Sequence, residues 1–359
     1  MDATLNETQQ LIRDSLRDYL EKEVPFSRIR QVERDGGMDS RLWEGLAGLG
    51  WLGLPFPEGS GGQGGELVDC GVLIEELTRR AVLIPIAEML AAAIAIQRFG
   101  PPGLAADVVQ RVQSGAMTIS PAAYEEGDSL GDIRITGGAT VTGTKYFVDY
   151  ALEATHHLVV AGEGAGLAAY LVENGAAVSS RSLTNIGKIP QAVVSYSNAP
   201  ATRVFGADGV TFLLGLSRLF AAVQCLACSQ QALDMTVEYV GMRVQFGRPI
   251  GTFQAVQHHC ANMATHVLAT RFLTFEALWD LDRGKATECQ VAVAKTEASR
   301  TATEVPMLAH QLHGGMGFVT EYDLHFFSLR GKQASLSWGT ADECLAIVAQ
   351  SIEESEEWL

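Results

Sequence analysis

The sequence has 359 residues, 47% of them apolar, and carries 42 acidic against 26 basic side chains for a formal net charge of −16. A chain of this length buries a large core and divides into two or three domains, and so negative a balance excludes nucleic acid or an anionic membrane surface as the main partner. Any phosphate it binds must be held by a local cluster of cations. Residues Met1 to Glu7 show neither the basic start nor the apolar run of a signal peptide, and no later stretch reads as long and apolar enough to span a bilayer. The expectation is a cytoplasmic protein without a membrane partner. Cys70, Cys225, Cys228, Cys260, Cys289 and Cys344 scatter through apolar helical patterns, as reduced core thiols do. Cys225-x-x-Cys228 has no second pair and reads as packing, not as a metal or redox motif.

In chain order, apolar residues at helical spacing predict an amphipathic helix over 5–24 and a second over 39–50, capped by Asp39 or Ser40. The glycine-rich stretch 54–65 lacks the spacing, the preceding strand and the lysine of a phosphate loop, so it reads as a tight connection. Helices follow over 66–79, 85–99 and 103–114. Between Met117 and Phe212 the pattern changes to alternation and short β-branched runs, such as Tyr146-Phe147-Val148 and Leu158 to Ala161, broken by glycine and asparagine turns. These predict antiparallel strands. His156-His157 falls at a turn or strand edge and reads as a solvated pair, no further metal ligands being indicated. Helices return over 213–244, 252–283 and 286–313, the last interrupted by Pro306, and shorter ones over 321–333 and 341–357 complete the pattern. The reading is an α+β chain with an N-terminal helical domain (1–116), a middle antiparallel β-domain (117–212) and a C-terminal four-helix-bundle-like domain (213–359).

The junction from Arg243 to Gln254, Arg-Val-Gln-Phe-Gly-Arg-Pro-Ile-Gly-Thr-Phe-Gln, carries the most chemistry. Gly247 and Pro249 are expected to end one long helix and Thr252 to cap the next. Arginine, amide and aromatic side chains at such a corner suit a flat anionic ligand, because guanidinium pairs with phosphate and Phe246 stacks on a base. On the corner alone, a helix hairpin with merely solvated Arg243 and Arg248 remains an equal alternative.

Three stretches, taken with the order of elements, resemble the acyl-CoA dehydrogenase family over nearly the whole chain. They are Arg243 to Gln257 with His258 and Ala261-Asn262-Met263, Gln311-Leu-His-Gly-Gly-Met-Gly-Phe-Val-Thr-Glu321, and Arg41 to Leu54 with the glycine loop and Glu75-Glu76-Leu77. Gly143-Thr144-Lys145 matches a weaker family signal. The resemblance implies FAD as cofactor and α,β-desaturation of an acyl-CoA thioester, a carboxylate taking the α-proton while a hydride leaves the β-carbon for flavin N5. It further implies that the FAD lies between subunits, its ADP end held by a neighbour. The residues of this chain that match the neighbour's share are Arg243 for the pyrophosphate, Gln245 and Phe246 near the adenine side, and Gln311, Gly314 and Gly315 for close backbone approach, with Gln254 as a further cofactor-binding residue. His313 beside them is read as packing or hydrogen bonding rather than catalysis.

The departures from the family pattern lie in the other half of the site. Where the family places its catalytic Glu near the C-terminus, this chain has Ser337-Trp338-Gly339-Thr340, and at the alternative position near the start of the long central helix it has Ser217. Neither Trp338 nor Ser217 is a carboxylate, so no catalytic residue is assigned. The flavin loop reads Tyr124-Glu125-Glu126-Gly127-Asp128-Ser129 and the Trp-x-Thr-like contact reads Tyr146-Phe147-Val148-Asp149. This pattern resembles one subunit of the heteromeric α2β2 acyl-CoA dehydrogenases of actinobacterial steroid side-chain breakdown, a homologous partner supplying the Glu. Three other readings stay open: a self-sufficient homotetramer with its base moved to Glu125, Glu126, Glu321, Asp342 or Glu343, a flavin-dependent monooxygenase on the same scaffold, and a non-catalytic chain that keeps the oligomer contacts but binds no flavin.

Overall fold

The computed structural model describes residues 4–127, 130 and 133–354. The chain opens with helices α1 (Glu7–Glu23), α2 (Phe26–Asp35), α3 (Ser40–Gly48), α4 (Leu67–Arg79), α5 (Ile86–Phe99) and α6 (Pro102–Gln113). Reciprocal hydrogen bonds of 2.9 and 3.1 Å between Asn6 and Gln9 close a capping box at α1. Asp39 caps α3 by accepting from the Leu42 amide at 3.0 Å and also pairs with Arg28. The glycine-rich connection folds into 3-10 turns, and a Cβ at Gly62 would lie 2.0 Å from the Phe56 carbonyl oxygen. Its glycines answer to the chain's own backbone.

The middle sheet comprises β1 (Ile119–Ala122), β2 (Thr140–Asp149), β3 (His156–Glu163), β4 (Gly166–Glu173), β5 (Val178–Ser182) and β6 (Gln191–Phe205). Its order is β1-β3-β4-β6-β2, with β5 also paired to β6. All pairings are antiparallel except β1 with β3, which run parallel because β2 and its flanking loops intervene and bring the chain back in the same direction. Val141, Val148, Val159, Tyr170, Val194 and Tyr196 fill the core of this layer. The expectation of a solvated histidine pair fails for His157. It is buried in β3, with its ring nitrogens 3.0 Å from the Ala151 carbonyl oxygen and 3.1 Å from the Tyr196 hydroxyl, so its polar atoms are satisfied inside the sheet.

Helices α7 (Ala207–Met242), α8 (Gln254–Asp282), α9 (Glu288–His313), α10 (Leu324–Leu336) and α11 (Ala341–Glu354) follow. By length and composition α7 could cross a membrane, which corrects the reading that no stretch is long and apolar enough, but 78% of its apolar window is buried in protein. That is a core helix. The architecture is thus α+β: N-terminal helices, a middle β-sheet and a C-terminal helical domain.

Spatially the chain forms two compact units: the first gathers residues up to Phe26, Gly71–Ala81 and everything from Arg218 onward, the second Ser27–Cys70 and Val82–Ser217. In the first, α4 is tied to α1 and α8 by paired carboxylates. Arg17 grips Glu76 at 2.7 and 3.0 Å and Arg271 grips Glu75 at 2.6 and 2.7 Å. Both acids of the Glu75-Glu76 motif are therefore fastening groups.

Candidate functional site

At the end of α7 the chain makes a β-hairpin, not a bare helix corner. Strands β7 (Val244–Gln245) and β8 (Arg248–Pro249) pair across a two-residue turn, Phe246-Gly247, whose φ angles are +53° and +79°. Left-handed backbone at both central positions is what a tight hairpin demands, and glycine supplies it freely while phenylalanine does so against its preference. The hairpin overturns the expected cap. The Thr252 hydroxyl donates to the Pro249 carbonyl at 2.7 Å, a 3-10 turn covers Ile250–Thr252, and α8 starts at Gln254 with Phe253 at its N-cap and no side-chain cap.

Phe246 is 91% exposed and meets Phe253 edge-on at 6.0 Å, and the Arg248 guanidinium lies 4.2 Å from the centre of the Phe253 ring. Arg243, Gln245, Gln254 and Gln311 are all exposed, and among the described residues none has a side-chain partner. At the end of α9, His313 is buried and stacks on Tyr239 of α7 at 4.4 Å, with ring nitrogens 2.7 Å from the Ala309 carbonyl and 3.0 Å from the Tyr322 hydroxyl. Burial depresses its pKa, so it stands as a neutral packing group. Because the Tyr239 carbonyl also accepts the Arg243 amide at 2.8 Å, this stack puts the hairpin and the Gly314-Gly315 corner at one end of the first unit. Gly314 has φ +57° and ψ −135°, backbone that only glycine adopts readily, and a Cβ at either glycine would meet no atom of this chain. The two glycines present open backbone.

The positions where a base is expected are closed. Trp338 is buried at φ +59°, and its carbonyl accepts from Arg218 Nε at 3.1 Å. Sequence reading missed Lys295, whose fully buried ammonium donates to the Ser335 carbonyl, the Gly339 carbonyl and Ser299 Oγ at 3.0, 2.9 and 3.0 Å. It locks the Trp338 segment from beneath, and burial lowers its pKa. The only signal was a lysine in an apolar stretch of α9. Thr340 and Glu343 form the capping box of α11, with the Thr340 amide donating to Glu343 at 2.8 Å, so Glu343 is a cap. Ser217 is buried, and its hydroxyl has no partner among the described residues.

In the second unit Glu125 accepts from Lys145 Nζ at 2.7 Å and from the Arg134 and Ile135 amides at 2.9 and 3.1 Å. Burial alone would raise its pKa, but the ammonium and the two amides outweigh that and hold it below the usual range. Glu125 is therefore a fastening group, while Glu126, Glu321 and Asp342 are exposed. Of the flavin-loop residues, Asp128 and Ser129 lie outside the described residues. At the end of β2, burial pushes the Asp149 carboxyl up to about 7 against the opposing hydrogen bond from Gln191 Nε2 at 2.7 Å. Among the described residues no group of histidine, cysteine and acidic side chains is placed to hold a metal.

Comparison with known proteins matches the acyl-CoA dehydrogenase N-terminal domain over residues 6–116 and the acyl-CoA dehydrogenase C-terminal domain over residues 206–353. The chain belongs to the acyl-CoA dehydrogenase family, whose members are FAD-dependent oxidoreductases acting on the CH–CH bond of an acyl-CoA. Its relatives include "Acyl-CoA dehydrogenase FadE27" of Mycobacterium tuberculosis, 29% identical over 99% of this chain and 100% of the relative. Among solved structures, the ChsE4-ChsE5 complex from Mycobacterium tuberculosis matches with a TM-score of 0.93 at 28% identity, covering 99% of this chain and 100% of the other. A variant of the Tcur3481-Tcur3483 "steroid ACAD" matches with a TM-score of 0.92 at 30% identity, covering 98% and 99%.

Proposed function

We propose that this chain is one subunit of a heteromeric, FAD-dependent acyl-CoA dehydrogenase. It supplies the ADP-end half of the FAD site, and a homologous subunit supplies the catalytic Glu. FAD contributes hydride acceptance in acyl-CoA desaturation. Arg243 offers the fork that meets a pyrophosphate, Phe246 a free ring for the adenine side, and Gln245, Gln254 and Gln311 unspent amides. Gly314 and Gly315 leave room for backbone to approach the ligand. The single observation that carries the reading is that these polar groups are exposed and, among the described residues, without side-chain partners, while Trp338 and Ser217, at the positions where a base is expected, are not carboxylates. The relatives named as a two-component complex and a steroid ACAD favour a heteromer acting on a steroid side-chain CoA ester.

The test is flavin absorbance per protomer, for the chain alone and with its homologous partner. Flavin and activity are expected only in the mixture, near half a flavin per chain, and Arg243→Ala in this chain alone should weaken FAD binding about 10- to 100-fold, the worth of a charge-assisted contact of about 1.5–3 kcal/mol. A yellow, active protein from this chain alone would sink the proposal.

A further inference from the structure

The first unit also contains a pocket of about 300 Å³ lined by Arg17 of α1, Phe26 at the start of α2, Glu76 and Arg79 of α4, Arg80 just after it and Gln231 of α7. Two of its three guanidinium groups are spoken for: Arg17 grips Glu76, and Arg79 donates to Asp234 at 2.6 Å and to Gln231 at 3.2 Å. Arg80 differs from both. Its Nε donates to the Val24 carbonyl at 2.6 Å and its guanidinium carbon lies 4.7 Å from the centre of the Phe26 ring, while its terminal Nη groups have no acceptor among the described residues. The nearest negative charges act on it only through space, from Glu21 and Asp323, and burial lowers its pKa. A half-buried guanidinium with an aromatic floor, a fixed Nε and two free Nη groups is preorganised for an oxyanion, since ordering and desolvation are already met in the folded chain. The pocket wall carries the guanidinium groups of Arg17, Arg79 and Arg80 against the carboxylates of Glu21 and Glu76, and since Glu76 is taken by Arg17 and Arg79 by Asp234, Arg80 is the cation left over for a ligand.

We infer that this pocket binds the oxyanion group, phosphate or carboxylate, of a small ligand through the Nη groups of Arg80, with Phe26 as the apolar wall. The site lies wholly within the first unit and is independent of the FAD half-site.

The test labels the wild-type full-length chain with phenylglyoxal and follows Arg80 by peptide mass spectrometry, with the exposed Arg300 as internal control. Inorganic phosphate and succinate are titrated separately at constant ionic strength against chloride. Protection of Arg80 by five-fold or more in one arm, with Arg300 unchanged, is the expected result, and the protecting arm names the headgroup. Equal protection of both arginines would mean bulk screening alone and overturn the site. So would an Arg80 that does not respond to either anion, or one that stays unmodified with no anion present. Arg80→Lys keeps the charge and loses the fork, and calorimetric titration with the protecting anion should show about ten-fold weaker binding; unchanged affinity would also overturn the assignment.

Discussion

The hairpin end of the first unit and its Trp338 segment treat their polar groups in opposite ways. At the hairpin end, the side chains of Arg243, Gln245, Gln254 and Gln311 stand in solvent with no partner among the described residues. Around Trp338, Lys295, Arg218, Thr340 and Glu343 use their donors on carbonyls and on one another. A site that awaits a ligand leaves hydrogen-bonding capacity unspent, and a site that has lost its ligand chemistry has that capacity absorbed by the fold. On the proposed function, the contrast separates what this chain would offer to an assembly from what it keeps for its own stability.

The second unit has an absorbed network of the same kind, in which Glu125 and Lys145 pair inside the β-sheet, and it gives the largest expected effect. Lys145→Met strands the buried Glu125 carboxylate, and unfolding in urea should show a loss of about 3–5 kcal/mol; a loss under about 1 kcal/mol would mean that the closed network contributes little. Asp149 gives a smaller, pH-dependent effect. An unfolded aspartate titrates near 3.8, whereas the folded group is pushed up to about 7. Its folded pKa being the higher, stability from this group is full below the unfolded value and is lost as pH rises through the folded one. Asp149→Asn should therefore match wild type near pH 4 and exceed it near pH 8 by at least about 1 kcal/mol, and equal melting temperatures at both pH values would refute this. The smallest effect sits on the open side. Phe246→Asn suits the left-handed turn position better and should stabilise the hairpin by about 0.5–1 kcal/mol while lowering FAD occupancy in the heteromer. If occupancy is unchanged, Phe246 is not a ligand contact.

Much of this was legible in the sequence, because long amphipathic helices carry their own periodicity. Helix α1 lies within two residues of the expected limits, and α9 ends at the expected His313. Helix α2 was not, since its stripe of Phe26, Ile29 and Val32 is short, is set among charged residues, and buries only Ile29. The parallel β1–β3 pairing was invisible because alternation reports that a residue lies in a strand, not which way its neighbour runs. In the candidate site, that Trp338 and Ser217 are not carboxylates is read directly from the sequence, and the proposal of a base supplied by a partner rests on it. The hairpin could not, because Phe-Gly is a poor signal beside the preferred Asn-Gly, and the helical pattern on both sides masked two short strands. The Lys295 lock was hidden for another reason: its partners Ser335 and Gly339 lie on a different element, and only the packed chain brings them to it.

The hairpin's apolar surface has a consequence for how the protein is handled in a cell. Besides Phe246, the side chains of Met242, Val244 and Phe318 are more than half exposed. An orphan copy would present greasy side chains that invite aggregation and chaperone capture. In the proposed heteromer the homologous subunit would cover that surface, and the steady-state abundance of this chain is then expected to follow synthesis of that subunit, with unpaired copies cleared by proteolysis.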